Sequence, residues 1–541
     1  MNESWPAGDA SSGRGGNYTR RQALQLAGAG ALALGLGGGL GNIAAACGGS
    51  QPSTTSSVTS AASPTRGGVL RVGASGGGSQ DMLDGHQMLS NVDFALGYCL
   101  YDVLTWCNEK GEVELRMAEE FSANKDATEW TIRLQPGTKC HDGRDFTAKD
   151  VLWNFKRIVD LKLPGGSSIG PIDLAASKVV DARTLRVVFS TPYSIFPEAI
   201  SVPYFCMMPE GWTAKNPVGT GAFVLKSFTP GEGMECTRFA DYWAEGLPYL
   251  DGVHIINIAD EQSQVNALQS GQVEVIDYLS LSSIQALANT DMTVMIANSA
   301  GWLPFTMRVD TPPFDDVNVR QALRFGCDRQ QYLDLIYGGH GALGNDISFM
   351  KPGVPLFDES IPQRELDVEQ AKSLLKKAGQ ENLSLTLMSP PVAPAEQQIA
   401  QVFAQQMKAI GVNIKIQTVT VTEFFAKHYL NYPFTQDYWY YVPYLSGVSQ
   451  GQIPGAPFNA THWNDKEYGS LWQQATSTTD TALQADLAHQ MMKIENDRSG
   501  NIIPFFYPVT DASLPTVHGL ANSVSAQALD NFNFRSFWME S

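Results

Sequence analysis

Apolar and polar side chains alternate in some stretches of the chain and recur with helical spacing in others. Residues 130–134 and 412–416 alternate with a period of two, which predicts strands with one buried face. Between residues 151 and 159 the apolar positions, Val159 included, are three or four residues apart, which predicts a helix that buries them. Residues 367–379 and 395–411 are predicted to be helices that end at a glycine. Helices that precede strands in this way indicate a mixed α/β fold.

The first 47 residues are predicted to be an export signal. Arg20 and Arg21 precede a stretch rich in Gly, Ala and Leu, which is the arrangement of a twin-arginine signal peptide. Small residues precede Cys47, so we expect cleavage there and lipidation of this cysteine. The alternatives are ordinary cleavage near Ala46 or an uncleaved anchor.

A flexible linker is predicted to follow the signal. Residues 48–66 are mostly Gly, Ser, Thr, Pro and Ala and show no apolar period, so the folded part should begin near Gly67. The rest of the chain contains no second apolar stretch of about 18 residues, and we therefore expect no further membrane span.

The amino-acid composition limits the kinds of molecule that the protein is expected to bind. The 541 residues carry a formal net charge of −18, whereas nucleic-acid binding requires basic surfaces, so we expect no nucleic-acid partner. The acidic balance favours cationic or neutral ligands over anions. Seven cysteines are too few for a disulfide-based scaffold. The eight histidines lack metal-ligand spacing, so we expect neither a metal site nor a cofactor.

Several ordered motifs resemble those of a known family. In chain order they run from Tyr101 to Leu104, from Trp130 to Gly137, from His141 to Val151, from Asn216 to Phe223, from Asp241 to Val253 and from Pro313 to Arg329. Together they resemble the bacterial extracellular solute-binding proteins of family 5, the peptide and nickel class of ABC importers.

The resemblance implies an α/β, two-lobed periplasmic-binding-protein-like fold of type II, in the large cluster with an extra inserted domain. Lobe 1 would comprise residues 67–305 and 505–541, with an inserted subdomain at about 93–222. Lobe 2 would comprise residues 306–504. The two lobes would close on a ligand like a hinge, which desolvates the polar contacts of the bound molecule.

The resemblance also implies where ligand-binding residues lie. The loop after the first strand faces the cleft in the family, which suggests Asp84 and Gln87 as candidates. The aromatic candidates are Trp302, Tyr438, Trp439, Tyr441 and Tyr444. Their rings could stack on sugars, apolar side chains or cations, or they could belong to an aromatic core strand. Peptide-binding relatives carry an aspartate shortly after the tryptophan, but here no acid follows until Asp465, so we expect the partner of the peptide amine to be missing.

The predicted function is therefore that of the substrate-binding component of an ABC importer, with a peptide as the favoured ligand. The alternatives are a receptor for an oligosaccharide or another small organic solute, and a ligand sensor without transport. Expected partners are the permease transmembrane subunits and, through the lipid anchor, the outer face of the cell membrane or the periplasmic space. We expect a monomer.

We expect no enzymatic activity. Residues 73–77 formally match the nucleophile elbow of hydrolases, but more glycine follows where that elbow requires a helix. The hydrolase hypothesis predicts that a Ser75→Ala variant loses an activity.

Overall fold

The computed structural model describes residues 63–88, 90–393 and 395–540. The predicted signal, with Arg20, Arg21 and Cys47, and most of the predicted linker lie outside the described residues. Within those ranges no helix is long and apolar enough to cross a membrane.

The described residues contain 21 strands, β1 to β21 in chain order. They are Val69–Ala74, Thr105–Cys107, Val113–Leu115, Ala118–Ala123, Glu129–Leu134, Ile172–Val179, Thr184–Phe189, Phe223–Thr229, Gly233–Arg238, Gly252–Asn257, Val275–Ile276, Thr293–Trp302, Phe305–Met307, Ala342–Leu343, Ser384–Ser389, Asn413–Thr418, Phe434–Gln436, Asn501–Ile502, Phe505–Ser513, Val517–His518 and Trp538–Met539. The predicted strand at 130–134 is confirmed as β5, and the one at 412–416 as β16.

Most of these strands belong to three sheets. Sheet 1 has the order β12-β19-β11-β1-β10-β9-β8, and β14 also pairs with β19. Sheet 2 has the order β16-β15-β17-β13-β18. Sheet 3 is antiparallel, has the order β4-β5-β7-β6, and is inserted in the chain between β3 and β8. Two hairpin-like pairs, β2 with β3 and β20 with β21, complete the described sheets.

The α-helices connect and cover these sheets. They span Asn91–Leu100, Ala148–Asp160, Phe196–Ala199, Glu261–Gln269, Leu281–Leu287, Val317–Phe325, Arg329–Tyr337, Val368–Lys377, Glu396–Met407, Val421–Glu423, Tyr444–Gly451, Lys466–Thr476 and Thr481–Arg498. A short turn at Ala528–Phe532 is different, because Leu529 to Phe532 have φ between 51° and 58° and are therefore left-handed.

The helices predicted from spacing are present with the expected ends. Helix Val368–Lys377 begins after Asp367, whose side chain accepts a hydrogen bond from the backbone N–H of Gln370. The chain leaves the helical region at Gly379, which has a φ of +66°. In helix Ala148–Asp160 one prediction is wrong, since Val159 is exposed. It lies in the last turn, about 100° around the helix from the buried Ile158.

The described residues form four apolar cores, and the two largest support this arrangement. The larger core joins side chains from sheet 1 and sheet 3 with aromatic residues of the segment 439–468. The second core lies against sheet 2, where helix Glu396–Met407 packs on β15 and β16. Sheets 1 and 2 thus contribute mainly to different cores, although Phe505 of β19 is buried in the second core.

The chain passes between sheets 1 and 2 at two short crossings. The first crossing, Leu303-Pro304, joins β12 to β13, and the second, Ile503-Pro504, joins β18 to β19. Proline fixes its own φ near −65°, which limits the conformations open to each connection. These crossings lie next to the predicted lobe boundaries at 305 and 504.

A buried ion cluster holds the second crossing. The carboxylate of Asp346 contacts Arg324, Arg329 and Arg364, and its Oδ1 accepts a hydrogen bond of 2.9 Å from the backbone N–H of Ile503. Burial alone would raise the pKa of Asp346, but the three arginines hold it below its ordinary value. The crossing is therefore attached to a charge network that is almost entirely buried.

We expect Asp346→Asn to destabilise the protein by about 3–5 kcal/mol, because it leaves three buried guanidinium groups without their carboxylate. Urea-induced unfolding would measure the loss. The matched control is Asp160→Asn, which removes an exposed ion pair with Lys156 and should cost about 1 kcal/mol or less. Equal losses in the two variants would contradict the role assigned to Asp346.

Candidate ligand-binding cleft

A cleft of about 610 Å³, which includes the solvent-filled space at its mouth, lies between two distant parts of the chain. One wall comes from the segment that contains sheet 3 and consists of Pro164, Ser167, Ser168 and Tyr204. The other wall comes from the chain between β16 and β18 of sheet 2 and consists of Phe425, Tyr429, Asp437, Tyr438, Trp439, Tyr440, Gln450 and Phe458. Seven of these twelve residues are aromatic, so the cleft is suited to ligands with apolar or cationic groups.

The two walls are in direct contact at one point. The side chains of Tyr204 and Tyr440 lie beside each other across the cleft. Farther along the same interface, the backbone N–H of Ser194 donates to the carbonyl of Thr476 at 2.7 Å. The structure therefore shows the two walls brought together.

The first crossing between the sheets positions the second wall. Trp302, at the end of β12, and Trp439 exchange two backbone hydrogen bonds of 3.0 Å each. Their rings are parallel to within 4°, with centroids 5.6 Å apart, and the ring of Phe349 packs edge-on against both. Two residues before Trp439, the backbone N–H of Asp437 donates to the carbonyl of Pro304 at 3.4 Å.

Asp437 is the acidic group of the cleft. Its side chain is 3% exposed and accepts a hydrogen bond of 2.9 Å from the backbone N–H of Tyr438, and the hydroxyl of Tyr429 lies beside it. Burial raises the pKa of Asp437 to about 7. Among the described residues that line the cleft there is no Lys, Arg or His, so this carboxylate faces the cleft without a cation.

A second acid lies close to Asp437. Glu396, the first residue of helix Glu396–Met407, accepts a hydrogen bond of 2.8 Å from the backbone N–H of Val392, while its Oε1 is buried with no hydrogen-bond partner. Burial raises the pKa of Glu396 well above its ordinary value, and the charge of Asp437 raises it further. The interior next to the cleft is thus acidic.

The structure brings together two of the predicted aromatic residues. Tyr438 and Trp439 line the cleft, and Trp302 stacks behind Trp439 without lining it. Sequence reasoning expected no acid for an amine because it searched after Trp439. Asp437 precedes the tryptophan and lines the cleft, and the expected absence of an acid after Trp439 stays a prediction.

Tyr441 and Tyr444 are buried and are not among the residues that line the cleft. The hydroxyl of Tyr441 donates to the carbonyl of Gly111 at 3.1 Å. The hydroxyl of Tyr444 donates to the buried carboxylate of Glu495 at 3.2 Å. Their predicted contact with a ligand stays a prediction.

Asp84 and Gln87 belong to a separate buried network. The guanidinium of Arg157, on helix Ala148–Asp160, contacts the Asp84 carboxylate at 2.6 Å, and Gln87 donates to the same carboxylate at 2.6 Å. Burial raises the pKa of Asp84, but Arg157 outweighs this effect and lowers it overall. Neither Asp84 nor Gln87 is among the lining residues, so their role as ligand contacts also stays a prediction.

The sequence around the remaining lining residues did not indicate that they form a site. Ser168 and Tyr204 lie more than 200 residues before Asp437 in the sequence, and no motif near them indicates a site.

The loop after β1 contains the serine of the hydrolase alternative. Ser75 is 1% exposed and its backbone N–H donates to Asp277 at 2.9 Å. This burial is unfavourable for the nucleophile of a hydrolase.

Comparison with known proteins gives a consistent result. The family model described as "Bacterial extracellular solute-binding proteins, family 5 Middle" matches residues 112–463. The glutathione-binding protein GsiB of Salmonella typhimurium is 26% identical over 345 residues, which cover 62% of this chain and 66% of that protein. The match thus spans slightly less than two thirds of that relative's length.

Solved structures share the fold. The binding protein AgaA from A. tumefacien R10, in complex with agropinic acid, has a TM-score of 0.75 at 23% identity and covers 88% of this chain and 99% of its own. The oligopeptide-binding protein AppA from Bacillus subtilis, in complex with a nonapeptide, has a TM-score of 0.71 at 20% identity and covers 88% of this chain and 100% of its own. The predicted periplasmic-binding-protein fold is confirmed.

We expect Asp437→Asn to stabilise the ligand-free protein at neutral and alkaline pH. The folded-state pKa is raised above its unfolded value, so the wild type loses stability as pH rises from about 4 to about 7, at up to about 1.4 kcal/mol per pH unit. The asparagine variant has no such loss. Urea unfolding at about pH 5 and about pH 8 should show an advantage of the variant that grows with pH. The exposed Asp145→Asn is the control, and an equal pH dependence in both variants would refute the assignment.

Proposed function

The chain belongs to the bacterial extracellular solute-binding proteins of family 5, and on this premise we propose that it is the substrate-binding component of an ABC importer. It captures an extracellular solute between its two lobes and delivers the solute to the transmembrane subunits of a permease. The lobes are those delimited near residues 305 and 504. Motion about the crossings at 303–304 and 503–504 opens and closes the cleft.

The observation that carries this proposal is the aromatic cleft between two separate parts of the chain. Tyr204 on one wall and Tyr440 on the other meet directly, so separation of the walls would expose the cleft to solvent. A site built in this way encloses a ligand from two sides and removes water from its polar contacts. The arrangement favours reversible capture and release.

The proposed ligand class is a peptide. GsiB is named a glutathione-binding protein and AppA was solved with a nonapeptide. In this chain the Asp437 carboxylate can accept hydrogen bonds from a protonated amine, and the rings of Tyr438 and Trp439 can pack on apolar side chains. Both groups occur in a peptide.

The proposed location follows from the N-terminal sequence. Arg20 and Arg21 would direct twin-arginine export, and a lipid on Cys47 would anchor the chain as a monomer at the outer face of the membrane or in the periplasmic space. The linker at 48–66 would leave the binding lobes free to move near the permease, which raises their effective concentration there.

We expect Tyr438→Ala to weaken peptide binding at least about tenfold, because it removes an aromatic surface worth about 1.4 kcal/mol or more from the cleft. Isothermal titration calorimetry with peptides recovered from a mixed library by co-purification would measure the change. The control is Tyr432→Ala, which removes a partly exposed tyrosine that does not line the cleft. Equal affinities of the two variants, or no binding of any library peptide to the wild type, would count against the proposal.

We expect replacement of both Arg20 and Arg21 by Lys to retain the precursor in the cytoplasm, because the twin-arginine pair is the proposed export signal.

We expect Cys47→Ala to release the exported protein from the membrane fraction, because it removes the proposed site of lipidation. Cell fractionation and the mass of the mature N-terminus would check both outcomes. A Cys47→Ala protein that stays in the membrane fraction would show that Cys47 is not the anchor.

A further inference from the structure

We propose that the cleft selects organic cations, and that the part of the ligand it encloses carries a protonated amine and no carboxylate. This inference rests on the proposed function and narrows its ligand class. A peptide satisfies it when its carboxyl terminus is blocked or lies outside the cleft.

The first argument is the charge of the site. Asp437 is the acidic side chain among the described lining residues, and the polar groups beside it, the backbone N–H of Tyr438 and the hydroxyl of Tyr429, are neutral. A cation in the cleft would supply the missing counter-charge. A buried carboxylate paired with a hydrogen-bonded cation is far less costly than one that is unpaired.

The second argument concerns a carboxylate on the ligand. The remaining polar lining side chains, such as Ser168 and Gln450, offer only neutral donors. An enclosed ligand carboxylate would lose its hydration without meeting a guanidinium or an ammonium group, and it would be repelled by Asp437 and by any charge on Glu396. The site therefore penalises the anionic half of a zwitterion.

The third argument is the aromatic lining. The rings of Tyr438, Trp439 and Tyr440 follow one another along the wall that contains Asp437, and Phe425 and Phe458 extend it. The face of an aromatic ring attracts a cation through its quadrupole and repels an anion. Across the whole chain, the formal net charge of −18 acts in the same direction on an approaching ligand.

The test compares matched ligands that differ only in the carboxylate. Calorimetry with the full chain would use phenylalanyl-phenylalanine against its C-terminal amide, and tyrosine against tyramine. We expect the amide and tyramine to bind at least about tenfold more tightly than the corresponding acids, which is a difference of about 1.4 kcal/mol. We expect N-acetylation of the amide to abolish this binding.

The Asp437→Asn variant tests the residue itself. It should lose at least about tenfold in affinity for the amide, whereas the exposed Asp145→Asn should bind like the wild type. For tyramine, whose amine stays protonated, affinity should rise between about pH 5 and about pH 7 as Asp437 ionises. The titratable groups next to Asp437, Glu396, Tyr429 and Tyr438, should stay neutral in this range.

The outcomes separate this inference from the proposed function. If the free acids bind as tightly as the amide and tyramine, the cleft does not select against carboxylates, and the inference fails while capture of a peptide stands. If Asp437→Asn binds the amide like the wild type, the carboxylate is not the cation partner and the inference also fails. If none of these compounds nor any library peptide binds, both proposals fail together.

Discussion

The backbone pairing of Trp302 with Trp439 connects the hinge region to the cleft. Trp302 ends β12, just before the crossing at Leu303-Pro304, and its two hydrogen bonds hold Trp439 beside it. Asp437 is tied to the same crossing through the carbonyl of Pro304. Since the wall that carries the carboxylate is bonded to the connection between the sheets, movement at this connection would also move the wall.

The second crossing is held by a different force. At Ile503 the constraint is a carboxylate shared by three arginines, which also donate to several backbone carbonyls. Arg324, for example, donates to those of Ser499 and Asn501. A buried charge network is costly to assemble and still more costly to break, so it specifies one arrangement of the chain. Aromatic stacking at one crossing and a charge network at the other therefore fix the geometry in which the two sheets meet.

The cleft itself is built at an energetic cost. Asp437 and Glu396 are buried without a cation, and burial raises the pKa of both carboxyl groups, which means that the fold disfavours their ionised forms. The stabilising effect predicted for Asp437→Asn and the loss of cation binding in the same variant have one common origin. A ligand that supplies positive charge would recover the free energy that the ligand-free protein loses when Asp437 ionises.

Local patterns determined the elements of this protein, and the tertiary structure decided which side chains form the site. The alternation at 130–134 and the cap at Asp367 depend on neighbours within a few residues, so β5 and helix Val368–Lys377 could be predicted. The aromatic run around Trp439 was visible for the same reason. The position of Asp437 and Tyr204 in one cleft, and the contact of Asp84 with Arg157, depend on how distant segments are brought together. Periodicity holds no information about such long-range contacts, because it reports which face of an element is buried and not what that face meets.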